Sequence, residues 1–144
     1  MIESEREYKA AVCNGLRALG WSTQWHEDKY ANYIPDVSFG AHGIDGWIEV
    51  KFRREPPKTL GHISHYTIGQ ENWLIERGQR GSGACYLLVG TGAGHLLLPH
   101  PALRNARMAT YIAAQSLPGA LWVPSQPELV GTLCVEMDRL LAGR

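Results

Sequence analysis

Three side chains dominate the chemistry available to this sequence: Asp36 in the run Ile34-Pro35-Asp36-Val37, and Glu49 and Lys51 in the run Trp47-Ile48-Glu49-Val50-Lys51. If both runs are strands, alternation puts Trp47, Glu49 and Lys51 on one face and Ile48, Val50 and Phe52 on the other. The apolar trio then enters the core while a carboxylate and an ammonium project together. The same division separates Asp36 and Ser38 from Val37 and Phe39, so a hairpin register that joins the polar faces brings Asp36 to Glu49. Two close carboxylates repel unless they share a proton or bind a cation, and hard oxygen ligands suit magnesium, with manganese able to substitute. Such an ion polarises a phosphate, acidifies a water and steadies a leaving oxygen, which is what phosphodiester hydrolysis needs. Lys51 has three open roles beside it: orienting the water, stabilising developing negative charge, or taking a proton if its pKa is depressed.

The two runs, including the proline before the aspartate, resemble the signature of the PD-(D/E)xK nuclease superfamily. The resemblance implies an α/β fold of the restriction-endonuclease-like kind, a mixed central sheet flanked by helices. It also implies metal-dependent cleavage of nucleic acid and the main-chain carbonyl of Val50 as a further metal ligand. The segment Glu5-Arg6-Glu7-Tyr8, followed by Leu19-Gly20-Trp21, is similar to the opening helix of archaeal-type Holliday junction resolvases, whose first glutamate helps bind metal. That role falls on Glu5. The residue pattern agrees, because Glu5 shares a helical stripe with Tyr8 and Val12 whereas Glu3 and Glu7 lie off it. The alternative is simple enrichment of acids in a first helical turn, where the helix dipole favours them. Gln70 precedes Trp73, Leu74 and Arg77 at helical spacing, which puts an amide on the inward face of a helix. It resembles the polar residue that many members carry after the Glu-x-Lys strand to arrange the site; capping of local backbone is the competing role. The resemblance spans roughly residues 3 to 89, and the last third of the chain adds nothing to it.

The elements that must position these residues are legible in outline. Tyr8, Val12, Leu16 and Leu19 predict an amphipathic first helix stopped by Gly20. Residues 21 to 27 form a weaker strand leading into a polar loop through Asp28, Lys29, Tyr30 and Asn32. Strands are expected at Ile34–Phe39 and Trp47–Phe52, joined by a hairpin with Asp45-Gly46 as the turn-forming pair. A loop from Arg54 to Gly61 precedes a second helix, His65–Arg77, ending at Gly78. Ala84–Val89 reads as a buried strand with His95–Leu98 as its partner across a glycine-rich turn. Helices are expected around Leu103–Gln115 and Pro127–Leu141.

The chain is 144 residues long, which fits one nuclease domain with an unrecognised helical C-terminal third, about 100–144. With 44% hydrophobic and 19% charged residues, and no apolar run long enough to span a bilayer, a membrane role is not expected. The acidic start of the chain lacks the features of a secretory signal, which predicts a cytoplasmic protein. Cys13, Cys85 and Cys134 are isolated, as buried free thiols are. His62 and His65 lack further ligands for a zinc site, and Gly90-Thr91-Gly92-Ala93-Gly94 lacks the lysine-serine pair of a phosphate loop. Basic and acidic residues balance at 14 each, so any DNA affinity must come from local clusters such as Lys51, Arg53, Arg54 and Lys58. Trp47 shares the catalytic face and is placed to touch DNA. The expected partner is DNA, branched if the resolvase resemblance governs; duplex cleavage, nicking and end repair compete. That resemblance also implies a homodimer, since two strands must be cut symmetrically. The rival reading is a catalytically silent nucleic-acid-binding or assembly module of the same fold.

Overall fold

A computed structural model of the chain describes residues 2–27, 33–63 and 65–143. The order is α1 (Glu5–Ala18), β1 (Ser22–Trp25), β2 (Val37–Ala41), β3 (Ile44–Phe52), α2 (Ile68–Arg80), β4 (Cys85–Gly90), β5 (His95–Pro99), α3 (Leu103–Ala106), α4 (Tyr111–Ala114), β6 (Leu121–Val123) and α5 (Gln126–Ala142). The strands make one six-stranded sheet in sequence order. Neighbours are antiparallel except β3 and β4, which run parallel because α2 carries the chain back across the sheet between them. This is the mixed, helix-flanked α/β sheet expected from the sequence.

Each face of the sheet carries its own apolar cluster. Tyr8, Val12 and Leu16 of α1 and Leu129, Leu133 and Met137 of α5 pack on Val37, Phe39, Ile48, Val50 and Leu88. On the opposite face Leu74 and Ile75 of α2, with Leu103 and Tyr111, cover Leu87, Val89, Leu96 and Leu98. The alternation read for β3 is therefore present: Ile48 and Val50 enter the first cluster, and Trp47 packs against the second.

Several boundaries differ from the sequence reading, each for a local reason. The first hairpin turns at His42-Gly43, between the paired residues Ala41 and Ile44, with φ of 54° and 81° at the two turn positions. Such a turn matches the twist of the strands it joins. Asp45 and Gly46 lie instead inside β3. Gly46 is opposite Phe39, and a Cβ there would fall 2.1 Å from that ring, so this glycine serves packing and not the turn. The strand expected from Ile34 begins at Val37, because Pro35 has no N–H to offer a ladder. The strand expected from Trp47 begins earlier, at Ile44.

The second helix runs Ile68–Arg80, later at both ends than His65–Arg77. Thr67 caps its start, and Gly78 does not stop it; a Cβ at Gly78 would lie 2.2 Å from the His100 ring, so its bare backbone admits that side chain. The single helix expected over Leu103–Gln115 is two short ones. The loop before α2 takes over the intervening carbonyls, with the N–H of Leu60 donating to Ala109 and that of Gly61 to Arg107. The three-residue edge strand β6 was not anticipated. Cys13 and Cys85 are buried free thiols and Cys134 is half-buried; burial pushes the Cys85 thiol up to about 12. The polar loop expected through Asp28, Lys29, Tyr30 and Asn32 lies outside the described residues. Among the described residues no helix is long and apolar enough to cross a membrane.

Candidate active site

The site forms where β2 ends and β3 continues. The last pair between them is Val37 with Ile48, yet β3 runs on to Phe52 against β4. The N–H of Trp47 donates to Ala84 and that of Arg53 to Gly90, so the odd-numbered residues of β3 turn their backbone groups towards β4. By alternation Val50 turns its N–H and C=O the other way, to the side β2 has vacated. The Asp36 side chain takes the missing strand's place: the Val50 N–H donates to Asp36 Oδ2 at 2.9 Å. Asp36 thus sits in a bend one residue before β2, while its main-chain carbonyl accepts from the His26 N–H and continues the pairing with β1.

Glu49 flanks Val50 on one side and Lys51 on the other, with Asp36, Glu49 and Lys51 only 3%, 1% and 3% exposed. Lys51 Nζ lies 2.9 Å from Glu49 Oε2 and donates to the His65 carbonyl at 3.0 Å. His65 adopts a left-handed backbone, φ 64°, and presents that carbonyl. Burying an ion pair costs desolvation that its attraction only partly offsets. The His65 carbonyl adds a contact that offsets part of that cost.

Gln70 combines the two roles that competed in the sequence. Its Oε1 accepts from the Thr67 N–H at 2.9 Å, completing a capping box with the Thr67 hydroxyl, while its Nε2 donates to Glu49 Oε2 at 3.3 Å. The first turn of α2 therefore fixes a Glu49 oxygen. Glu5 stands in the first turn of α1, half-buried, and reaches Asp36 through an intermediary. Lys9 Nζ is 3.3 Å from Glu5 Oε2 and 3.1 Å from Asp36 Oδ1. Burial works against the Lys9 charge, but the carboxylates of Asp36 and Glu5 outweigh it and hold the ammonium above the ordinary lysine value. Glu5, Lys9, His26 and Asp36 line a cleft of about 480 Å³. His26 itself bonds Ser38 at 2.8 Å and stacks on Trp47 at 5.7 Å between ring centroids.

Lys9 and His26 did not stand out in the sequence. Lys9 had a local signal, since it follows Glu5 by one helical turn and precedes buried Cys13 by another. His26 had none, because its neighbours come from β2 and β3.

The oxygen set fits a hard divalent cation. Magnesium commonly uses one or two carboxylates and keeps several waters. Asp36 bonds the Val50 N–H, one residue from Glu49, and the Val50 carbonyl turns to the same gap. Among the described residues no group of three or more His, Cys, Asp and Glu side chains converges as a larger metal cluster. His62 bonds the Thr59 hydroxyl, which accounts for it locally.

No protein-family model matches the chain, and no curated protein is significantly similar to it.

Proposed function

We propose that this chain is a metal-dependent endonuclease of the PD-(D/E)xK type that hydrolyses DNA phosphodiester bonds, its sheet being the restriction-endonuclease-like core. One observation carries the reading: the Asp36 carboxylate is bonded to the backbone of β3 between Glu49 and Lys51. Asp36 is thereby tied to the strand that carries Glu49 and Lys51, and all three side chains are buried. Asp36, Glu49 and the Val50 carbonyl would hold magnesium or manganese, with Glu5 tuning the charge through Lys9. When bound there, the ion supplies Lewis-acid polarisation of the phosphate and acidifies a water. Lys51, steadied by Glu49 and the His65 carbonyl, offers a positive charge to the phosphate oxygens and to the incoming water. Gln70 holds Glu49 in one rotamer. In the net reaction the water oxygen bonds to phosphorus, one phosphorus–oxygen ester bond breaks, and a water proton ends on the departing oxygen.

The opening helix with Glu5 favours branched DNA, as for a Holliday junction resolvase acting as a homodimer in recombination or repair. The test is incubation with supercoiled plasmid and synthetic four-way junctions, with magnesium and with chelator. Cleavage in magnesium, stopped by chelator and reduced at least about a hundredfold by Glu49→Ala or Lys51→Ala, is expected. Paired cuts symmetric about the branch select the resolvase. Cleavage that survives chelator or both substitutions ends the mechanism. A second reading, a silent nucleic-acid-binding or assembly module, draws on Lys9 and Lys51, which neutralise the carboxylates without an ion. Binding without cutting in magnesium and in manganese would select it.

A further inference from the structure

On the face of β3 that carries Glu49 and Lys51 lies a feature the proposed chemistry does not use. Trp47 precedes Glu49 by two residues, about 7 Å along the strand. Its ring meets Trp73 of α2 edge to face, with centroids 5.1 Å apart. The Arg77 guanidinium sits over both indoles, 5.6 Å from the Trp47 ring and 5.8 Å from that of Trp73. Two adjoining clefts, of about 390 and 310 Å³, are both lined by Trp47 and Arg77, and the first is also lined by Arg80.

The two arginines differ in a way that matters. Arg80 is paired with Glu76 at 2.9 Å. Arg77 has no carboxylate partner among the described residues; its charge rests on aromatic faces alone, although it is exposed to solvent. Complementing the carbonyl end of α2 accounts for a basic residue here. It does not account for a guanidinium set over two touching tryptophans, one of them on the strand that carries Glu49. Contact with the two rings restrains the side chain while no carboxylate takes up its donors, so less freedom is lost when the guanidinium binds a phosphate. Asp45 also lines both clefts and sets a limit on how much negative charge they accept, favouring a single phosphate over a cluster.

Resting on the nuclease reading, we propose that Arg77, positioned by Trp47 and Trp73, is a phosphate clamp for the DNA strand being cut. It grips a backbone phosphate on the order of one to three nucleotides from the scissile bond. It thereby gives a chain of balanced overall charge a local, sequence-independent hold on its substrate.

The experiment is equilibrium binding of a fluorescein-labelled DNA duplex and a labelled four-way junction to the full chain, with calcium replacing magnesium, across a salt series. Wild-type protein is compared with Arg77→Ala and Arg77→Lys, and cleavage in magnesium is measured in parallel. Arg77→Ala should weaken binding by about tenfold on both DNAs and lower the slope of log affinity against log salt by about 0.9, the loss of one phosphate contact. Arg77→Lys should restore the slope but not the full affinity, because ammonium charge persists without the stacked fork. Unchanged affinity and slope in Arg77→Ala, with wild-type cleavage intact, overturn the clamp and leave the nuclease reading standing. The expected binding changes with no wild-type cleavage leave the clamp standing and overturn the nuclease. A wild-type chain that binds neither DNA overturns both.

Discussion

Lys9 holds two carboxylates with one ammonium, and this makes it the residue most sensitive to an incoming cation. Asp36 and Glu5 both lean on Nζ, so a divalent ion held by Asp36 would compete with Lys9 for that carboxylate. Lys9→Met should therefore lower the stability of the protein without added metal, by about 1 to 2 kcal/mol, because a buried carboxylate loses its partner. The same variant should gain more in melting temperature from manganese than wild type does, measured by a thermal shift with and without the ion. Equal shifts in the two proteins would show that Lys9 and the cation do not compete. At this scale the sequence disclosed what depends on a two-residue period: alternation sets the facing of Glu49 and Lys51, whereas Asp36, expected on a strand, lies in the bend before β2 and reaches β3 through its side chain. Lys9 was hidden because its importance comes from a contact 27 positions away, and the His65 carbonyl because a main-chain atom leaves no mark on residue type.

The elements succeed or fail as positioning devices at their ends. The capping box of α2 uses Gln70 twice, so the same amide that closes the helix start also touches Glu49. Thr67→Ala should cost about 1 kcal/mol in urea denaturation. It should also reduce cleavage several-fold while leaving DNA affinity unchanged, since the amide is then free to leave the carboxylate. Loss of stability with activity untouched would mean that Gln70 matters to the helix alone. Turn chemistry explains where element boundaries were misjudged. Asp45-Gly46 has turn-forming composition, yet the glycine answers the Phe39 ring across the hairpin. Gly78 has the composition of a helix stop, yet it answers His100. In both places a glycine demanded by tertiary packing looks the same in sequence as one demanded by backbone conformation.

Across the whole molecule, each helical layer is fastened by a similar polar device. On one face Tyr86 donates to Glu136, which also accepts from Arg139; on the other Tyr66 donates to Glu71, which lies 3.5 Å from Arg107. A third tie crosses from α1 to β5, where the Tyr8 hydroxyl is 2.6 Å from His95 Nδ1. Burial raises the Tyr8 pKa well above the ordinary value, helped by Tyr111, so the phenol keeps its proton and donates. Burial also lowers the His95 pKa, which keeps the ring neutral and accepting. An unfolded chain protonates this histidine at about 6.5, whereas the folded one resists. The unfolded state then binds more protons, and stability present above that pH is lost as pH falls through it towards the lower folded value. Denaturation midpoints at pH 7.5 and 5.5 should separate in wild type and separate less in His95→Gln. Parallel behaviour of the two proteins would sink this account. The sheet and its flanking helices could be read from hydrophobic periodicity, since both faces are regular. The edge strand β6 and the broken α3–α4 segment could not, because three- and four-residue elements carry too short a pattern to register.

The gap beside β3 has a structural price that its occupant sets. Asp36 serves there as a surrogate peptide group, receiving the proton that a longer neighbouring strand would have received from Val50. An asparagine can do the same with its amide oxygen, without the charge. Asp36→Asn should therefore lose the ion pair with Lys9, about 1 to 2 kcal/mol, and be inert as a nuclease, whereas Asp36→Ala should lose a further amount of about 1 to 3 kcal/mol by orphaning a buried donor as well. The active centre, on this view, is a piece of sheet left unfinished, and completing the ladder with ordinary backbone would erase it.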